Sequence, residues 1–338
     1  MLETIWFLLW GVLWAVYFVL DGFDLGAGTL MPFLAKDEFD KRSVYNAGGP
    51  FWDGNEVWLL SAGGVTFAAF PLAYATMFSG LYSALMLLLF ALIVRGVSFE
   101  FRGKVESQTW RSVWDGCHSV CSFLPALLLG VAFANLFHGL PLDEQHVNQW
   151  GLIDLLNPYG LLGGVFFVCM FALHGALWLA IRTTGGLRDR AAAAAGKLWL
   201  AVLVLVLAFL AYTWGHTQLF GNYLKNPHLF LILIAAVAGL LASRYFLAGR
   251  SFWKAWAGSA AFIACVALFG VVGLYPAILI STLNPAWSLT VSNASSTPLT
   301  LKIMLGVALV FVPLVIIYQA WAIKTFSHPI EHEGDLEY

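Results

Sequence analysis

The chain has 338 residues, 60% of them hydrophobic and only 11% charged, with a formal net charge of −2. Soluble domains carry about 25% charged residues, so lipid is the solvent this composition fits, and the repeated long apolar runs exclude a soluble protein with a large core. No basic cluster or aromatic reading surface is present, which excludes a nucleic-acid partner.

A helix that crosses a bilayer needs about 20 predominantly apolar residues. Nine segments meet that requirement: Ile5–Leu25, Phe51–Leu72, Phe78–Val97, Val120–Leu140, Tyr159–Ile181, Lys197–Trp214, Leu229–Leu247, Trp256–Ile280 and Leu301–Lys324. The pattern predicts an all-α integral membrane protein, a single polytopic domain over residues 1–338. The opening MLETIWFLLW carries Glu3, has no basic flank and meets no small-residue cleavage site, so it reads as a retained first helix.

Basic residues orient the spans, because cytoplasmic loops are enriched in Lys and Arg. With nine spans, one side collects every Lys and Arg of the 17 except Lys225 and Lys302. The expectation is an outer N-terminus, a cytoplasmic C-terminus and an odd number of spans. The connecting loops are short, none is a nucleotide-binding loop, and the 32 glycines suit close helix packing. Cys117, Cys121, Cys169 and Cys265 form no CxxC pair, so neither a redox dithiol nor a cysteine metal site is expected.

The intramembrane polar residues carry the functional signal. The first span ends in DGFDLGAG, with Asp21 and Asp24 three residues apart on one face, about 25 Å from Ile5 along the helix. The second opens with GPFWDGNEVW, bringing Asp53 and Glu56 in from the same side. The third leaves there with Arg95, Glu100 and Arg102, and the fourth enters with Trp114-Asp115. Topology alone therefore gathers these charges in one leaflet. Two readings stay open: arginines that neutralise the acids and lock the helices together, or a water-lined acid chain admitting protons from the cytoplasm. Asp53 and Glu56 favour the second, Asp21 a helix-end role, and the arginines the first.

His174 is the one histidine expected well inside a span, where hydrogen bonding to a neighbouring helix is the ordinary role and haem ligation the rarer one. His118, Cys117 and Cys121 lie too close on one helix to surround a metal. No histidine pair has the depth and spacing of a bis-His haem site. Trp6, Trp10 and Trp14 recur every four residues and predict a packing stripe on the first helix.

At DGFDLGAG, GPFWDGNEVWLLSAGGVTFAAFPLAYATMFSGLY and LIVRGVSFEFR the chain resembles subunit II of the cytochrome bd ubiquinol oxidase family, which includes the cyanide-insensitive quinol oxidases. The likeness continues through SVWD, GVAFANLFHG, NPYGLLGGVFFVCMFALHGALWLAIRT and the final helix, covering essentially the full length. The resemblance implies two four-helix bundles plus a peripheral helix in a bacterial cytoplasmic membrane. It implies a partner, subunit I, that oxidises quinol and carries two b haems and haem d, with no haem ligated by this chain and no metal of its own. A small single-helix subunit, membrane lipid and a structural quinone are further expected associates. The complex would reduce O₂ to water with cytoplasmic protons. On the matching positions, Asp53 resembles the acid at the proton entrance, while Asp24 and Arg95 resemble positions that keep the haem d region assembled. Glu56 stands where some members carry glutamine, which lowers its weight.

The expected function is thus a proton-supplying, structurally essential oxidase subunit. The alternatives are a pure scaffold, with protons entering through subunit I, and a stand-alone proton-coupled transporter. The transporter reading predicts inverted repeats and mid-membrane broken helices, and the sequence shows neither. Asp24, Asp53 and Glu56 are the candidate proton residues, Arg95 and Asp24 the structural pair, and Asp21, Asp115 and His174 weaker candidates.

Overall fold

The structure, a computed structural model, describes residues 1–337. Among the described residues, twelve α-helices are joined by short turns and by two longer segments, 139–157 and 275–297: α1 Leu2–Leu34, α2 Glu38–Gly48, α3 Trp52–Ala69, α4 Pro71–Gly80, α5 Tyr82–Phe101, α6 Gln108–His138, α7 Pro158–Arg182, α8 Gly185–His216, α9 Phe220–Lys225, α10 Phe230–Ala248, α11 Phe252–Leu274 and α12 Pro298–Phe326. Two short strands, β1 Ala277–Leu279 and β2 Leu289–Thr290, pair antiparallel in the loop before α12.

Local chemistry sets several of these boundaries. Asp37, Ser107, Asn157 and Thr297 cap α2, α6, α7 and α12, each side chain accepting from a backbone N–H in the first turn. Pro71 disfavours helical backbone at Phe70, so α3 stops there and α4 restarts at the proline. α1 runs on past the predicted end at Leu25 to Leu34. Asp21 and Asp24 are therefore interior helix residues, not helix-end ones. α6 begins at Gln108, twelve residues ahead of the predicted Val120, because its polar first turns are capped and paired rather than apolar.

Among the described residues, eight helices are long and apolar enough to cross a membrane: α1, α5, α6, α7, α8, α10, α11 and α12. The remaining predicted span, Phe51–Leu72, corresponds to α3, whose first turns hold Asp53, Asn55 and Glu56. Those residues lower its hydropathy, although its 18 residues still reach about 27 Å.

α1 is the hub, packing against α3, α6, α7 and α11. On one side α7, α8, α10 and α11 close a four-helix bundle; on the other, α3, α5 and α6 join α1. There α3–α4 and α5 stand apart, leaving an apolar groove of ≈790 Å³ with Trp10 and Trp14 on its wall. α12 rests on α1 and α3 and is otherwise largely exposed. The tryptophan stripe packs as its spacing predicts. Trp6 and Trp10 are buried and donate to the Leu301 carbonyl (3.0 Å) and Thr66 Oγ1 (2.8 Å), and Trp14 meets Phe133 edge-on at 4.9 Å.

The charged end of the molecule gathers α2, the start of α3, the ends of α1, α5 and α7, and the start of α6. The tail folds back over this end: Ile330 N–H donates to the Arg182 carbonyl (2.8 Å), and the buried Arg182 guanidinium reaches the carbonyls of His328 and Asn46.

Candidate functional site

Arg95 of α5 is the centre of the site, with 0% of its surface exposed. Its guanidinium faces three carboxylates from two helices. Nη1 lies 3.2 Å from Glu56 Oε1 and 3.5 Å from Asp21 Oδ1, and Nη2 lies 3.9 Å from Asp24 Oδ2. The Phe99 ring covers the guanidinium at 5.7 Å. Spacing explains the convergence: Asp21 and Asp24 share one face of α1, and Asn55 and Glu56 turn from α3 towards it. α2 closes the site from beside, since its Gly48 leaves no room for a side chain against Asp24 Oδ1.

Asp24 is held by a second device. Asn55 Nδ2 donates to Asp24 Oδ2 at 2.6 Å and to the Leu20 carbonyl at 3.1 Å. Asn55 Oδ1 in turn accepts from Gln319 Nε2 of α12 at 2.8 Å. Both oxygens of Asp21, Asp24 Oδ1, and Nε and Nη2 of Arg95 are buried with no hydrogen bond from the described residues, as is the Tyr17 hydroxyl one turn before Asp21. Buried groups of this type ordinarily find a partner or an ordered water.

Asp53 sits apart from its neighbours. It is exposed on α3, with no hydrogen bond or ion pair from the described residues, while Glu56 one turn inward is half-buried. The order along α3 is therefore open carboxylate, half-buried carboxylate, buried cluster.

Asp115 belongs to a different network. It accepts from Arg102 Nε at 2.6 Å and Lys41 Nζ at 3.0 Å, while Arg102 also grips Glu38 through two bonds of 2.9 and 3.0 Å. Arg102 lies over the Tyr45 ring at 5.2 Å. Between the two networks stands a buried stack of Tyr45, Phe99 and His118, with Trp52 parallel to Phe99 at 5.5 Å. His118 is thus a second buried intramembrane histidine, which the late predicted start of the fourth span concealed; its Nδ1 meets Ser98 Oγ at 2.9 Å.

His174 is satisfied by the fold. Its Nδ1 meets Ser259 Oγ at 3.0 Å and its Nε2 the Val19 carbonyl at 3.1 Å, and its ring stacks on Trp256. With both ring nitrogens engaged it does not fit a haem axial position. Among the described residues, no group of three or more His, Cys, Asp or Glu side chains is placed to hold a metal ion.

Asn55, Gln319 and Tyr17 are site residues that sequence reasoning did not single out. Gln319 carried a usable signal, an amide inside an otherwise apolar span.

The fold and site define a multi-helix membrane protein with a buried acid–arginine cluster. The chain matches the family Cytochrome bd terminal oxidase subunit II over residues 2–326 and belongs to it. It is 39% identical over 339 residues to cytochrome bd ubiquinol oxidase subunit 2 of Bacillus subtilis, covering 100% of this chain and 99% of the relative. It is 37% identical over 353 residues to cytochrome bd-I ubiquinol oxidase subunit 2 of Escherichia coli K12, covering 95% and 93%. Its fold resembles a chain of the bd oxidase from Geobacillus thermodenitrificans, with a TM-score of 0.75 at 17% identity, covering 96% and 98%. The protein is subunit II of a cytochrome bd quinol oxidase, an oxidoreductase complex of the bacterial membrane, and works beside a subunit I.

Proposed function

We propose that the carboxylates around Arg95 form the inlet through which cytoplasmic protons reach the O₂-reducing centre of the complex. The observation that carries this reading is the ratio of three carboxylates to one guanidinium in a buried site. One cation balances one carboxylate, and an unbalanced buried charge is very costly, so protons complete the charge balance. A cluster that holds protons, with half-buried Glu56 at its edge and exposed Asp53 one turn further out on α3, can take protons from water and pass them on. Asp53 is the entrance, Glu56 the intermediate, and Asp24 with Asp21 the inner store, while Arg95 fixes their geometry.

In this reading the charged end faces the cytoplasm, as its Lys and Arg content requires. α3 then counts as a ninth span, the N-terminus lies outside and the C-terminus inside. The two b haems and haem d belong to subunit I, which takes electrons from quinol; a small single-helix subunit completes the assembly. The groove between α3 and α5 has the size and apolar walls to hold a lipid tail or a structural quinone.

The scaffold reading draws support from the same arginine, since each acid lies within 4 Å of it. Asp53→Asn separates the two, because Asp53 takes no part in that packing. With haem content verified as normal, the inlet reading expects slower O₂ reduction and reduced charge separation. Unchanged turnover and charge separation would leave the scaffold reading standing.

A further inference from the structure

We propose that Gln319 of α12 is a positioning residue for Asp24, acting through the amide of Asn55. The inference rests on the inlet reading above and adds a residue and a helix to it. α12 buries only Leu301, Gln319 and Ala322, and Gln319 is the polar one, 7% exposed on a helix that otherwise faces outward.

The chain of bonds has a fixed direction. The Leu20 carbonyl can only accept, so Asn55 must turn its Nδ2 towards Leu20 and Asp24. Its Oδ1 is then left facing α12, where the Gln319 Nε2 supplies the donor. Every link is an N–H donating to an oxygen, and the chain ends on Asp24 Oδ2, the atom nearest Arg95 Nη2. Gln319 thereby locks Asn55 in the orientation that keeps Asp24 aimed into the cluster. The charged or titratable groups facing Asp24 are Arg95 of α5, Glu56 of α3 and Asp21 of α1, while α2 places Gly48 against Asp24 Oδ1. A change at Gln319 therefore alters Asp24 through Asn55 without touching a charge in the cluster.

Two variants of the whole complex test this. Gln319→Met keeps the length and removes the donor. Gln319→Glu keeps the length and replaces the donor amide with a carboxyl whose own titration moves the pH–rate profile, so the profile of Gln319→Met carries the comparison and Gln319→Glu is read for turnover. Losing one such hydrogen bond predicts O₂ reduction slowed about three- to tenfold with normal haem content, and a shifted pH–rate profile, which a purely structural contact would not move. Leu309→Ala, on the exposed face of the same helix, serves as control and keeps wild-type values. Wild-type turnover in both Gln319 variants, with a wild-type pH profile in Gln319→Met, overturns the inference. Asp24→Asn run in parallel tells the two failures apart. If it too leaves turnover unchanged, the inlet reading falls; if it alone slows turnover, only the role of Gln319 falls.

Discussion

Gly26 of α1 and Gly175 of α7 meet backbone to backbone: a Cβ on Gly26 would lie 1.8 Å from the Phe171 carbonyl oxygen, and one on Gly175 2.3 Å from the Ala27 nitrogen. Small residues are what allow membrane helices to approach this closely. The contact lies two residues past Asp24 and five past Asp21 on the same helix.

Gly26→Ala is therefore expected to force α1 and α7 apart at a cost of about 1–3 kcal/mol or more. The expected result is a lower thermal midpoint and a lower yield of the assembled complex. Gly64→Ala on α3, where an added Cβ meets nothing within 4 Å, is the matched control. Equal midpoints for the two variants would refute the crossing as a stability determinant.

Arg95→Ala leaves the carboxylates of Asp21, Asp24 and Glu56 buried without their cation. Breaking a buried pair by removing one partner costs about 3–5 kcal/mol, a large share of any domain's stability. Loss of assembled complex and of its haem is expected, with Arg95→Lys intermediate because an ammonium cannot fork between several acids. Haem content and yield after purification measure it. A wild-type yield from Arg95→Ala would show that the acids need no counter-charge.

Much of this arrangement was legible in the chain because one physical constraint dominates it. Apolar length marks the helices, and the i, i+3 spacing of Asp21/Asp24 puts that pair on one face, so their convergence with Glu56 on Arg95 follows from topology, whereas Asp53, three residues before Glu56, stays outside it. Three features were hidden for identifiable reasons. The polar start of α6 is helical because Ser107 caps it and Arg102 pairs Asp115, neither of which hydropathy registers. Asp21 reads as a helix end only if the helix stops where apolarity dips, whereas Gly26 packing carries it onward. Gln319 pairs with Asn55 across 264 positions of sequence, a contact no local pattern encodes.

Glu38 makes a pH-dependent contribution at the charged end, outside the spans. Hydrogen bonds from Arg102 hold its carboxyl below the usual range, outweighing the opposing effect of partial burial. A depressed carboxylate stabilises fully above the unfolded value of about 4.3 and loses that contribution as pH falls through the lower folded value. Since 41% of the side chain is exposed, the contribution is held to about 1 kcal/mol or less. Thermal midpoints of wild type and Glu38→Gln should therefore differ slightly at pH 6 and converge as the pH drops below about 4. A gap that widens on acidification would give the interaction the opposite sign.

His174 provides the sharpest test of where the haems are not. Its two ring nitrogens already meet Ser259 Oγ and the Val19 carbonyl, so His174→Phe preserves the stack on Trp256 while removing both hydrogen bonds. Leaving such groups unsatisfied costs about 1–3 kcal/mol, so the thermal midpoint should fall. The complex that does assemble should keep its haem-to-protein ratio and its absorption spectrum, because both ring nitrogens are already engaged within this chain. A stable, fully assembled variant that lacked one haem band would place an axial ligand at His174 and contradict the packing role.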